Sequence, residues 1–207
     1  MENREAPILQ KRSFVCPERF SEQTKKSFLG VLCVFAVNLN MISQESEMKI
    51  RPLVSKDRKK LHSMIMDTGI FTPEEIDVAM ELIDIVLKDP NQKDYQIVCI
   101  VSEEDQPLGY LCYGLAPMTQ GTIDLYWIVV DPSFQGKGVG SKLLAYLEEV
   151  AKGMNGRMIL AETSSIPSYD KTLTFYVRKG FKEVARVPDY YSPGNDRVTF
   201  CKRLSER

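Results

Sequence analysis

Residues 122–130 form an apolar run, TIDLYWIVV, that passes through the glycine-rich turn DPSFQGKGVG into residues 138–154, where Leu143, Leu144, Leu147, Val150 and Ala151 share one helical face. This succession constrains the chain more than any other feature. A buried strand followed at once by an amphipathic helix must lay that helix back on the sheet containing the strand, which restricts the fold to α/β architectures.

The flanking text completes the pattern. Residues 48–53 (MKIRPL) read as a short strand and residues 55–68 as a helix. Thr72-Pro73-Glu74-Glu75 is a helix start, with Thr as N-cap, Pro in the first turn and Glu three residues after the cap; this helix runs to about Lys88, before Pro90. Residues 95–102 and 108–116, joined by the polar turn EEDQP, read as a hairpin. Beyond the central helix, residues 157–163 are a strand and residues 169–179 a helix capped by Gly180. Residues 181–187 and 197–204 are two closing strands, with Tyr190, Tyr191 and residues 193–196 as a loop or hairpin turn between them. A meander followed by alternating strands and helices predicts a mixed α/β sandwich: a central, mostly antiparallel sheet flanked by about four helices.

Residues 1–47 do not share this organisation, and we read them as an N-terminal extension, disordered or upstream of a natural start at Met48, with one domain over residues 48–207. The run FLGVLCVFAVNL within them follows Lys25 and Lys26 but is shorter than the roughly 20 residues of a membrane span. It also fits a signal-peptide core or a packed helix or strand.

Charge narrows the partners. Lys plus Arg number 27 and Asp plus Glu 28, which gives no electrostatic reason to expect nucleic acid; no membrane partner is expected. The five cysteines, Cys16, Cys33, Cys99, Cys112 and Cys201, form no CxxC pair and are read as reduced thiols of a cytoplasmic protein. With His62 as the only histidine, a zinc site of ordinary spacing is absent and no metal is expected. His62 reads as a helix-surface or packing residue.

The turn itself carries the chemistry. Gly136, Gly138 and Gly140 allow close backbone approach, and the helix N-terminus behind them presents free N–H groups suited to a pyrophosphate. GxxxxGK followed by Ser or Thr is missing, and a GxGxxG count from Gly136 ends on Ser141, so neither nucleotide fingerprint fits. What stands there is Gln135-x-x-Gly138-x-Gly140. It resembles the coenzyme A pyrophosphate motif of the GNAT N-acetyltransferase superfamily, and Phe175-Tyr176-Val177-Arg178-Lys179-Gly180-Phe181 resembles that superfamily's FYxxxGF helix end. The similarity covers residues 48–204 in order. Tyr169 and Thr172 stand where many relatives have Asn and Ala.

The resemblance implies the GNAT acyl-CoA N-acyltransferase fold and transfer of an acetyl group from acetyl-CoA to a primary amine: a peptide N-terminus, a lysine or a small molecule. It implies that the backbone of Ile128, Val129 and Val130 pairs with the pantetheine arm, with a backbone N–H near Val130 polarising the thioester carbonyl. Gln135, Gly136, Lys137, Gly138, Val139, Gly140 and Ser141 would hold the pyrophosphate. Tyr176 is implied as general acid and Glu162 as general base. Asp124, which interrupts an apolar strand, is a second candidate base or a substrate contact. Tyr190 and Tyr191 are candidate substrate contacts. On α-helical residues Asp77, Glu81 and Asp84, acceptor contact competes with a solvated helix face. The oligomeric expectation is monomer or homodimer. The alternative function is a non-catalytic acyl-CoA-binding sensor or interaction module.

Overall fold

The computed structural model describes residues 48–204; the extension over residues 1–47, with Cys16 and Cys33, lies outside the described residues. Seven strands, β1 (Lys49–Pro52), β2 (Gln96–Val101), β3 (Pro107–Leu115), β4 (Thr122–Val130), β5 (Met158–Ser164), β6 (Lys182–Ser192) and β7 (Asn195–Arg203), form one sheet in the order β1-β2-β3-β4-β5-β7-β6. Every pairing is antiparallel except β4 with β5. Four helices, α1 (Arg58–Asp67), α2 (Pro73–Lys88), α3 (Val139–Gly153) and α4 (Asp170–Arg178), cover the sheet. The expected mixed α/β sandwich is what forms.

Two cores lie on opposite faces. Leu61, Met64 and Ile65 of α1 and Ala79, Met80 and Ile83 of α2 pack with Cys99, Tyr110 and Val129. Leu143, Leu144 and Leu147 of α3, with Tyr176 of α4, pack with Ile123, Leu125, Ile159 and Phe200. This two-sided burial is why β4 reads as a near-continuous apolar run rather than an alternating one. A bulge sharpens the point. Cys112 pairs with Trp127 and Tyr113 with Leu125, so Tyr126 is the extra residue. An extra residue in a strand moves everything beyond it to the other face. Ile123 and Leu125 therefore belong to the α3–α4 core, whereas Trp127 and Val129 belong to the α1–α2 core.

Local signals are realised as the sequence predicts. Glu75 N donates to Thr72 Oγ1 at 3.2 Å and Thr72 N donates to Glu75 Oε2 at 2.8 Å, a complete capping box at the start of α2. Gly180, at φ +82°, ends α4: Phe181 N donates to Tyr176 O and Gly180 N to Val177 O, both at 3.0 Å. Residues 55–68 divide into a 3-10 turn, Ser55–Asp57, and α1, because Asp57 turns back to bind Val54 N and the Arg51 guanidinium. His62 is exposed on α1. The region between the last two strands differs from a loop: β6 runs through Tyr190 and Tyr191 to Ser192, and only Pro193 and Gly194 separate it from β7. Aromatic residues favour extended backbone, while Gly194 accepts the φ of +79° that the turn requires.

Candidate active site

β4 and β5 are paired only from Thr122 with Met158 to Leu125 with Ala161. Beyond that point β5 follows β7, while β4 remains paired with β3 as far as Val130. The two parallel strands splay, leaving the edge of residues 126–130 without a strand partner on the β5 side, so a row of main-chain donors and acceptors faces the gap. A cleft of about 770 Å³ opens there.

Four predicted catalytic or substrate residues line this cleft together: Tyr176, Glu162, Asp124 and Tyr191. Tyr176 is 4% exposed, its ring enclosed by Phe175, Phe181 and Phe200 at centroid distances of 5.6, 5.3 and 5.4 Å. Burial raises the phenol's pKa well above its ordinary value, so the hydroxyl stays protonated across the working pH range. Glu162 is half exposed; its carboxylate accepts from Thr199 Oγ1 at 3.3 Å and lies 3.7 Å from Arg197 Nη1. Asp124 is half-buried and makes no hydrogen bond or ion pair among the described residues. Burial first, and the Glu162 charge second, raise its pKa. Tyr190 does not reach the cleft: it lies beneath the Arg197 guanidinium, 4.3 Å from ring to cation.

The glycine turn lies at the end of β4. Asp131 is buried, accepts from Ser133 N at 2.9 Å and binds Lys60 Nζ at 2.6 Å, which fixes the 3-10 turn Pro132–Phe134. Gly136 and Gly138 take φ of +74° and +84°, and a Cβ on either would meet nothing within 4 Å. Gly138 is the N-cap of α3 and supplies no side chain, so the first N–H groups of the helix face outward unfilled. Gln135, Gly136, Lys137 and Gly138 are exposed; the Val139 side chain is buried in the α3–α4 core. Gly140 is helical and lies against Phe175 and Val130. The open cradle, the positive helix end and the adjacent Lys137 fit a pyrophosphate.

Sequence reasoning missed several residues here. Phe71, Trp127 and Tyr169 form an aromatic wall, with Phe71 5.1 Å from Trp127 and 6.4 Å from Tyr169. Tyr95 and Tyr126 stack edge-on at 5.3 Å, also on the cleft. Thr163 lines it with an unpartnered hydroxyl. On α2 the cleft-facing acids are Glu74 and Glu75, while Asp77, Glu81 and Asp84 are not among the lining residues; Asp84 pairs with Arg58. The capping box was the available signal for Glu75, since its position fixes which way the first turn faces.

The sequence profile of the acetyltransferase (GNAT) family matches residues 62–181. The S-(2-succino)cysteine N-acetyltransferase of Bacillus subtilis (strain 168) is 28% identical over 104 residues, 48% of this chain and 61% of that protein. The match thus spans less than two thirds of that relative's length. A crystal structure assigned to the GNAT acetyltransferases, from Desulfovibrio desulfuricans, is 38% identical, covers 77% of this chain and 100% of its own, and superposes with a TM-score of 0.71. An aminoglycoside 6'-N-acetyltransferase complexed with coenzyme A is 17% identical with a TM-score of 0.59 over 77% of this chain and 98% of its own, a likeness of fold.

Proposed function

The chain belongs to the acetyltransferase (GNAT) family and is an acyltransferase, and from that premise we propose that it transfers an acetyl group from acetyl-CoA to a primary amine of a small molecule or peptide. The observation that carries this reading is the splay of β4 from β5, which brings Tyr176 and Glu162 onto one cleft beside the free edge of β4.

Acetyl-CoA would be held by the amides at the N-terminus of α3, residues 138–141, with the Gly136 amide and the Lys137 side chain, and by the main-chain edge of Ile128, Val129 and Val130; when bound it supplies an activated thioester. Both descriptions of residues 128–130 hold at once, since their side chains pack in the cores while their backbone faces the gap. A main-chain N–H on this edge is a fixed dipole able to stabilise developing negative charge on a carbonyl oxygen. Glu162 accepts the proton that the amine gives up, directly or through one water, and Thr199 and Arg197 hold its carboxylate in place. Asp124 provides negative charge that attracts the ammonium form of the acceptor. Tyr176 Oη holds a proton for the departing sulfur. The departing thiolate, whose conjugate acid lies near pKa ~8.5, needs a donor, and a buried phenol that stays protonated can donate a hydrogen bond to it.

The test is calorimetry of acetyl-CoA with the wild type and Gly138→Glu, followed by thiol release with a panel of amines that includes S-(2-succino)cysteine. Saturable binding lost in the variant, with amine-dependent thiol release by the wild type, is expected. Failure of the folded wild type to bind acetyl-CoA would overturn the reading.

A further inference from the structure

The charge lining the acceptor cleft is one-sided. Glu74, Glu75, Asp124 and Glu162 all face it, and among the described residues no lysine, arginine or histidine lines it. Arg197 approaches only Glu162, at 3.7 Å, and spends its other face on the Tyr190 ring. Glu75 uses both oxygens, accepting from Thr72 N and from Tyr169 Oη at 3.2 Å, but these neutral donors leave its charge in place. The N-terminus of α2 adds only about half a positive charge. The balance stays negative. The acids are dispersed along the cleft: among the described residues no group of three is placed to hold a metal ion.

Three further observations point to an organic ligand. Thr163, 6% exposed on the cleft wall, carries a hydroxyl without a partner, a group that costs free energy until something binds it. Asp124 is likewise without a hydrogen bond or ion pair among the described residues. The wall between the acids is aromatic, with Phe71 in ring contact with both Trp127 and Tyr169, and aromatic faces attract organic cations.

Resting on the proposed amine acetylation, we infer that the acceptor is a small amine bearing at least one positive charge besides the group acetylated, a di- or oligoamine, with Glu74 and Glu75 on α2 receiving the second charge. One amine needs at most one base and one counter-charge, and Glu162 with Asp124 already supply both. The α2 acids have no role in that chemistry, yet they face the same space. Amines that carry a carboxylate instead are disfavoured by the same field.

The experiment compares kcat/KM for 1,4-diaminobutane, butylamine and aspartate at one pH, at low and at high salt, in wild type and Glu74→Gln. Beyond a statistical factor of about two, the diamine is expected to exceed butylamine about tenfold at low salt, with the advantage shrinking at high salt. Glu74→Gln is expected to lower that ratio, and aspartate to be the poorest acceptor. Equal rates for diamine and monoamine, a preference for aspartate, a ratio unmoved by Glu74→Gln, or no turnover of the diamine by enzyme that binds acetyl-CoA in calorimetry would each overturn the inference. Loss of acetyl-CoA binding itself would instead overturn the underlying amine-acetylation reading.

Discussion

Replacing Tyr176 with phenylalanine removes one oxygen and leaves the ring contacts with Phe175, Phe181 and Phe200 intact. The hydroxyl has no hydrogen bond to another described residue, so its loss leaves no buried group orphaned, and stability should change by less than ~1 kcal/mol. If Oη serves the departing sulfur, kcat should fall by about 10²-fold or more, corresponding to ~2.7 kcal/mol of barrier. The calorimetric affinity for acetyl-CoA should hold, because the proposed binding contacts are main-chain and lie on the turn and β4. Stopped-flow thiol release and a thermal melt on the same sample separate the two effects. A folded Tyr176→Phe enzyme within about threefold of the wild-type kcat would refute the acid assignment, given the usual size of such contributions. Tyr176→Ala is the contrasting case: it deletes the ring from a packed aromatic cluster and should cost about 3–5 kcal/mol.

Gly138→Ala should cost about 1–2 kcal/mol, since the site is sterically open but φ is +84°, read as a lower midpoint in urea. Asp131→Ala frees both Ser133 N and Lys60 and should cost about 1 kcal/mol while weakening acetyl-CoA binding, read by calorimetry. Asp124 has a folded pKa raised above the ordinary 3.8, so its protonated form is favoured by folding and its stabilising share is lost as pH rises through the folded value. Asp124→Asn should therefore melt higher than wild type at pH 7, with the difference shrinking toward pH 4; a constant or reversed difference would contradict the burial argument. Leu147→Ala, at a fully buried α3 position, should cost about 2–5 kcal/mol by chemical denaturation.

The sequence by itself determined the element order, because that rests on local rules, and its two motifs pointed to acyl transfer through their resemblance to the GNAT superfamily. Thr72 with Glu75, Gly180 after Tyr176 and Gly138 before Val139 act within one turn of backbone, so the residues that start and stop α2, α3 and α4 can be read directly and were found in place. The Gln135-to-Gly140 spacing likewise joins a strand end to a helix start whatever surrounds it. The Tyr190–Tyr191 segment was less legible, since strand and turn signals overlap there and the register between β6 and β7 shifts between Val187 and Ser192. The cleft was not legible at all. Whether β4 and β5 stay paired, how the bulge at Tyr126 exchanges the faces of β4, and whether Glu74 or Asp77 meets the gap depend on contacts between elements far apart in the chain. Those contacts have no fixed sequence period, so only tertiary packing could gather four carboxylates, an aromatic wall and Tyr176 around one space.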